Sequence, residues 1–233
     1  MNTYLKSLGL ASIGLALSLT VTTARAVNVT IDSGATWLSY LNVFETPANG
    51  GGYAAGFEYN FALNTASFSG SNLTLGATQI DNAVDGFWWV GEVGGPGAVA
   101  NKVVEASSYI QETGTLAGVS LTFSGTVLSN TLVSGQSVIA FIRDFAPDFS
   151  SNVAQLIPLT TGDFSITLDT IDDPARHVQY GFVMTGPNVW VTDVASKGSI
   201  VIAPASAIPE PSSFAALAGL ATLGLAASRR RRG

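Results

Sequence analysis

The feature that most constrains the fold is an alternation of apolar and polar residues at a period of two along the middle of the chain. In VSLTFSG, Val119, Leu121 and Phe123 alternate with Ser120 and Thr122. Successive side chains of a β-strand point to opposite faces, so the pattern predicts a strand with one buried face. The same alternation occurs in FSITLD, VQYGFVM and FEYNFAL, and further strand candidates are NVTI, SNLTLG, GFWWVGE, EASSYIQE, SVIAFIRDF, NVWVTDV and SIVIA.

Turn signals separate these segments, among them ANGGG, VSGQ, TTGD and TGPN. About ten short strands punctuated in this way favour an antiparallel β-sandwich or barrel. The run SVIAFI is apolar on both faces, as expected for a central strand. One segment favours a helix instead, residues 35–45, where Trp37, Leu41 and Phe44 fall at helical spacing.

The composition favours an exported protein over a cytosolic enzyme. Of the 233 residues 11% are charged and none is cysteine, which excludes disulfides, thiolate metal sites and cysteine nucleophiles. Residues 27–208 hold four basic and fifteen acidic side chains, a formal charge of −11. Nucleic acid and anionic lipid surfaces are therefore not expected as partners.

The N-terminus has the three parts of a secretory signal. Lys6 lies in a short polar start, residues 7–21 form an apolar run, and Ala24 and Ala26 supply the small residues that a signal peptidase reads. The apolar run is shorter than the roughly 20 residues that span a bilayer. We expect a signal helix over residues 1–26 with cleavage after Ala26, and an uncleaved membrane helix is the alternative.

Part of the middle region resembles the jelly rolls of carbohydrate-binding modules. NKVVEASSYIQETGTLAGVSLTFSGTVLS resembles their early strands, and RHVQYGFVMTGPNVWVTDVA resembles their closing pair. The resemblance implies an all-β fold, an antiparallel β-sandwich of jelly-roll type, over residues 27–206. It concerns strand order and implies no particular ligand.

Residues suited to catalysis are sparse. His177 is the one histidine, and no G-x-S-x-G nucleophile elbow occurs. A zinc site is not expected without cysteine and with a single histidine. Glycoside hydrolysis needs two carboxylates in one cleft. Asp144, Asp148, Glu92 and Glu105 can be nominated, but the sequence gives no distances between them. We therefore expect a protein that is not an enzyme, with a secreted hydrolase as an alternative.

Calcium takes oxygen ligands, which are plentiful in the loops. The candidates for a structural calcium are Asp144, Asp148, Asp172 and Asp173. Aspartates in turns more often cap the local backbone, so the main expectation is that no cofactor binds.

Aromatic rings indicate a carbohydrate site, because sugars stack their C–H faces on indole and phenol rings. Trp88 and Trp89 are adjacent. If residues 86–92 form a strand, the two rings point to opposite faces, and one of them faces solvent, another sheet or a ligand. Trp190 is a third candidate for glycan stacking, and core packing is the alternative for all three.

The C-terminus combines three features in a fixed order. Pro209, Glu210 and Pro211 come first, an apolar run follows over residues 214–227, and four arginines precede the last residue. As a helix the run spans about 21 Å, short of the roughly 30 Å hydrocarbon core. The arginines are Arg229, Arg230, Arg231 and Arg232.

This arrangement, over residues 207–233, resembles the PEP-CTERM sorting signal. The resemblance implies export in a Gram-negative bacterium through the Sec system and signal peptidase, a transient stay in the inner membrane by a short transmembrane helix, and processing by an exosortase. It assigns Pro209, Glu210 and Pro211 to recognition and the arginine cluster to cytoplasmic retention. Such proteins end at the cell surface or in the extracellular matrix, and their producers commonly make exopolysaccharide. A C-terminal anchor that is never cut is the alternative.

Together these features predict a non-catalytic protein of the cell surface or biofilm matrix, associated with exopolysaccharide. The alternatives are a carbohydrate-binding module with a defined glycan ligand, a self-associating coat protein and a secreted hydrolase.

Mass spectrometry of the protein isolated from its host tests the assignment of both ends. We expect an N-terminus at Val27 and a C-terminus near Pro211, because the two ends carry the marks of removable signals. A mature chain that retains Arg229 to Arg232 would contradict the removal of the C-terminal tail and indicate a plain anchor.

Overall fold

The computed structural model describes residues 24–62 and 65–206. The predicted transmembrane helix and sorting signal lie outside the described residues, as do residues 1–23 of the predicted signal helix. The first strand begins at Arg25, so two of its residues precede the predicted cleavage point after Ala26. Among the described residues, no helix has the length and apolar character needed to cross a membrane.

The described residues form strands joined by turns, with two short 3-10 turns at Pro47–Asn49 and Val194–Lys197. The strands are β1 (Arg25–Val29), β2 (Leu38–Glu45), β3 (Tyr53–Glu58), β4 (Ala66–Ser69), β5 (Asn72–Gly76), β6 (Gln79–Ile80), β7 (Lys102–Thr113), β8 (Val119–Asn130), β9 (Ser137–Phe145), β10 (Asn152–Pro158), β11 (Gly162–Asp169), β12 (His177–Pro187), β13 (Val189–Trp190) and β14 (Ser199–Pro204).

Most of the strands belong to two six-stranded sheets. The strand order in sheet A is β11, β8, β14, β5, β4. The sixth strand, β1, pairs with the first half of β8, on the same edge of β8 as β14, which pairs with the second half. Sheet B runs β10, β9, β12, β7, β2, β3. All pairs within the two sheets are antiparallel except β1 with β8. The prediction of an all-β, mainly antiparallel protein is confirmed, and the arrangement is consistent with a β-sandwich.

The apolar side of each sheet faces the other, as the alternation in the sequence predicts. Leu121 and Phe123 of β8 are fully buried, and so is Phe182 of β12. The rings of Phe123 and Phe182 lie 5.4 Å apart between their centroids, which joins sheet A to sheet B directly. Burying aromatic and branched side chains on both inner faces supplies the main stabilisation of such a fold.

The helix predicted over residues 35–45 is wrong, because residues 38–45 form β2 between β3 and β7. Leu41 and Val43 are fully buried and alternate with half-buried Tyr40 and Asn42, so the segment follows period two. Pairing on both sides outweighs a weak helical spacing in a stretch rich in aromatic and branched residues.

A buried ion pair stabilises the connection between β11 of sheet A and β12 of sheet B, residues 170–176. Asp144 of β9 is fully buried; its Oδ1 accepts a hydrogen bond from Nε of Arg176 at 2.8 Å, and its Oδ2 accepts one from the backbone N–H of Ile171 at 2.8 Å. On the sheet A side, the hydroxyl of buried Thr170 donates to the carbonyl oxygen of Leu116 at 2.6 Å. Two of the connections between the sheets, residues 114–118 and 170–176, are thus held together by buried polar contacts.

Replacing the buried carboxylate is expected to destabilise the fold strongly. Asp144→Asn leaves the Arg176 guanidinium without its counter-ion, which for a buried pair costs about 3–5 kcal/mol of the free energy of unfolding. Urea unfolding followed by circular dichroism measures the change. Asp169→Asn, which alters an exposed carboxylate at the end of β11, is the matched control and is expected to stay within about 0.5 kcal/mol. Equal stability of the two variants would contradict this role for Asp144.

A second prediction concerns Tyr180, whose ring packs in the core 5.4 Å from that of Phe123. Burial, followed by the charges of Glu112 and Asp32, raises the pKa of Tyr180 to about 12. Since the folded state holds this proton more tightly than the unfolded state, its contribution to stability is full below about pH 10 and is lost as the pH rises towards 12.

Unfolding measured across this alkaline range should therefore show a shallower loss of stability for Tyr180→Phe than for the wild-type protein. Tyr53→Phe, which changes an exposed ring, is the control and should follow the wild-type curve. Parallel curves for all three proteins would rule out the linkage to Tyr180.

Candidate functional site

The tryptophans predicted to stack on sugars lie in or against the hydrophobic core. Residues 86–92 form turns and a single bridge from Trp89 to Ala100, so the strand predicted for GFWWVGE is wrong. Trp88 is 9% exposed and Trp89 is 1% exposed, and Trp190 is half-buried against the same core. Trp88 and Trp89 therefore present no open face to a ligand, contrary to the stacking hypothesis.

These rings hold the long loop of residues 81–101 on the sandwich. The indole N–H of Trp89 donates to the carbonyl oxygen of Asn82 at 2.6 Å, and its ring lies 5.8 Å from that of Trp190. Buried Asn188 donates from Nδ2 to the carbonyl oxygen of Trp88 at 3.1 Å. Core packing, the alternative considered for these residues, describes Trp88 and Trp89, whereas glycan stacking by half-buried Trp190 stays a prediction.

The four calcium candidates are not gathered into one site. Asp144 is occupied by Arg176 and the N–H of Ile171. Exposed Asp148 accepts from the hydroxyl and the backbone N–H of Ser150, and these hydrogen bonds lower the pKa of Asp148, the hydroxyl contributing most.

The remaining two candidates lie in the connection between β11 and β12. Asp173 accepts from the N–H of Ala175 at 2.9 Å, and Asp172 is exposed beside the turn at Gly118. Over residues 24–62 and 65–206, no three acidic or histidine side chains are grouped so that they could hold a metal ion.

A groove instead crosses the outer face of sheet B. It has a volume of 490 Å³ and combines aromatic, amide and charged side chains from five strands and one turn. Its lining residues are Leu38, Tyr40, Asn42, Glu58, Ser107, Tyr109, Gln111, Arg143, Phe145, Phe149 and Gln179.

The strand register brings these side chains together. Because Leu41 of β2 and Ile110 of β7 point into the core, Tyr40 and Tyr109 point to the opposite side. Tyr109 is 9% exposed and Ser107 is 4% exposed although they stand on the outer face, which shows that this face is hollowed rather than flat.

Gly181 shapes the floor of the groove. It pairs with Tyr109 on one side and with Phe141 on the other, in the middle of sheet B. A Cβ atom at this position would collide with the carbonyl oxygen of Ser108 and lie 2.7 Å from Cα of Tyr109. The missing side chain thus lets the two flanking aromatic residues close over the sheet, and they form a buried cluster with Val183.

Phe149 forms the rim of the groove in the turn between β9 and β10. Its φ angle of 59° is a left-handed conformation that bulky side chains rarely adopt. The ring lies parallel to the His177 ring, 4.5 Å between centroids, and is 49% exposed. A glycine would adopt this φ angle without strain. Phe149 therefore places an aromatic ring at the rim of the groove at a cost in backbone strain.

Among the described residues, the His177 ring contacts Thr113 and Pro147 and hydrogen-bonds to no serine. Its Nδ1 lies 2.8 Å from the hydroxyl oxygen of Thr113, and its Nε2 lies 3.3 Å from the carbonyl oxygen of Pro147. These contacts orient the ring that supports Phe149.

Polar groups are set among the rings of the groove. Nε2 of Gln179 donates to Oε1 of Gln111 at 2.8 Å, so the two amides keep their remaining donors and acceptor lone pairs for other partners. Burial raises the pKa of the Tyr109 hydroxyl, and the charges of Glu58 and Tyr40 act in the same direction. The Tyr109 hydroxyl therefore stays protonated near neutral pH.

Sequence reasoning did not find this groove. Its residues come from β2, β3, β7, β9, β12 and the turn between β9 and β10, and no short motif connects them. The signals that could have pointed to it are the polar residues on the outer side of otherwise apolar strands, such as Asn42, Arg143 and Gln179.

The profile of the PEP-CTERM protein-sorting motif matches residues 207–232, so the chain carries this motif, and the predicted resemblance is confirmed. The motif implies export and exosortase-mediated sorting to the cell surface. No curated protein matches the chain.

A similar solved structure is a mutant of Xylanase10C from Cellvibrio japonicus in complex with xylopentaose, with a TM-score of 0.37 and 19% sequence identity. The match covers 75% of this chain and 27% of that chain, so the chain spans about a quarter of the length of that xylanase.

Proposed function

We propose that this exported protein is a non-catalytic component of the cell surface or extracellular matrix that binds polysaccharide in the groove of sheet B. The observation that carries the proposal is the groove itself, 490 Å³ in volume, with aromatic rings beside amide and charged groups. Sugars are recognised by this combination, because their C–H faces pack on rings while their hydroxyls exchange hydrogen bonds with polar side chains.

Rings and polar groups alternate along the groove in a way that suits an extended chain. Tyr40 and Glu58 pair across β2 and β3 at one side, and Phe145 and Phe149 stand 5.6 Å apart at the other. Tyr109 and the Gln111–Gln179 amide pair lie between them on β7 and β12. A polysaccharide lying across sheet B would meet a ring at either side and hydrogen-bonding groups in the middle.

The single carboxylate among the described groove residues favours binding over hydrolysis. A glycosidase of the usual kind needs two carboxyl groups about 5 to 10 Å apart across the scissile bond. Among the described residues that line the groove, Glu58 is the one carboxylate. Asp144 does not line the groove and is buried in the Arg176 ion pair. We therefore favour a binding protein over the secreted hydrolase.

Sorting and binding fit one another in this proposal. The PEP-CTERM motif implies delivery to the cell surface. A protein displayed there meets the polysaccharide that the cell makes. Exosortase is the partner in sorting, and exopolysaccharide is the partner proposed for the groove. A jelly-roll-type sandwich would present such a groove on a rigid surface.

The decisive test removes the rim aromatic. Phe149→Ala is expected to weaken binding to exopolysaccharide purified from the producer about tenfold, or about 1.4 kcal/mol, because an exposed ring is lost while the turn keeps its shape. Affinity electrophoresis or calorimetry on the full chain, held in mild detergent, measures the change.

The matched control is Phe57→Ala, which removes a partly exposed ring of β3 that does not line the groove. This variant should bind as the wild type does. Failure of the wild-type protein to bind the producer's polymer, or equal binding by the wild type and Phe149→Ala, would refute the proposed function.

A further inference from the structure

Arg143 differs from Lys102 and Arg176, the two cations that form ion pairs among the described residues. Lys102 lies 3.0 Å from a carboxylate oxygen of Glu45, and Arg176 lies 2.8 Å from one of Asp144. Within residues 24–62 and 65–206, Arg143 forms no such ion pair, and its guanidinium donates no hydrogen bond to a side chain or carbonyl group. A half-buried guanidinium without an acceptor is unusual, since it carries five N–H donors.

The position of Arg143 is nevertheless well defined. Its Cζ atom lies 4.3 Å from the centroid of the Phe141 ring, in a cation–π contact. Phe141 is fully buried on the outer side of β9 beside Gly181, where no side chain competes for the space. The guanidinium is therefore packed against the Phe141 ring, while the Arg143 side chain contributes to the lining of the groove.

The surroundings keep the charge of Arg143 partly uncompensated. Burial lowers the pKa of Arg143 because the charged form loses solvation, whereas Glu105 and Tyr109 act in the opposite direction. The domain has fifteen acidic residues, yet none of the described carboxylates contacts Arg143 directly. An anionic group of a ligand would therefore compensate the charge of this half-buried guanidinium.

A carboxylate fits this guanidinium better than a hydroxyl does. The planar fork offers two parallel N–H donors, which a carboxylate accepts with both oxygens, and such charge-assisted bonds are about twice as strong as neutral ones. A sugar hydroxyl accepts fewer of these donors and brings no charge.

We propose that Arg143 binds the carboxylate of a uronic acid residue, so that the groove selects an acidic polysaccharide. This inference rests on the proposed function of the groove as a polysaccharide site. Glu58, at the β3 side, disfavours a second carboxylate there, so the acidic sugar lies at the Arg143 side and a neutral ring lies near Glu58. The net negative charge of the domain opposes an anionic polymer at long range, but salt screens this repulsion beyond about 8 Å at physiological ionic strength.

The test uses the producer's exopolysaccharide and the same polymer after carbodiimide activation and borohydride reduction, which converts uronic acids to neutral hexoses. The full chain in mild detergent is expected to bind the native polymer at least tenfold more tightly than the reduced one. Arg143→Gln should bind both polymers with the same, weak affinity. Arg143→Lys, which keeps the charge but not the fork, should show an intermediate preference.

Lys197→Gln is the control, because it removes one positive charge outside the groove and should keep the wild-type preference. Thermal unfolding of each variant verifies that it is folded.

The outcomes separate the two proposals. If native and reduced polymers bind equally well and Phe149→Ala weakens both, the groove binds polysaccharide and the role of Arg143 is refuted. That role is also refuted if the bound polymer contains no uronic acid. If neither polymer binds the wild-type protein, the proposed function fails, and this inference fails with it.

Discussion

Burial of two apolar sheet faces against each other is the constraint on which the rest of this structure depends. With no cysteine in the chain, no disulfide can replace a core, so the inner residues of β8 and β12 must pack closely. The contact between Phe123 and Phe182 joins the two sheets at the centre. Alternate residues of each strand point into this core. The residues between them therefore point to an outer face of the sandwich, where a side chain can take part in function.

On the outer face of sheet B these remaining residues do not behave as ordinary surface. Tyr109, Phe141 and Val183 are buried there, around a glycine that leaves room for its neighbours. The strained turn at Phe149 adds an exposed ring at the rim. A hollow face with rings, amides and one unpaired guanidinium has features of a binding site rather than of a solvated sheet.

Buried polar groups stabilise two of the connections between the sheets, residues 114–118 and 170–176. The Asp144 carboxylate, which resembled a calcium ligand in the sequence, holds the connection of residues 170–176 through Arg176 and the N–H of Ile171. Thr170 does the same for the neighbouring connection through its hydroxyl. Hydrogen bonds and ion pairs require a specific geometry, whereas apolar packing is largely non-directional, so these contacts help to specify the path of the chain between the sheets.

The sequence by itself determined the class of fold and the destination of the protein. Period-two alternation is a local property of each strand, and the sorting motif is a contiguous segment with its own order of features, so both can be read from neighbouring residues. The strand at residues 38–45 was mistaken for a helix because its pairing with β7 depends on residues about sixty positions away. Adjacent Trp88 and Trp89 suggested a ligand site, yet tertiary packing buries both. Only the tertiary structure decided the groove, because Tyr40, Tyr109, Arg143 and Phe149 meet through strand register across sheet B, and no spacing in the sequence encodes that register.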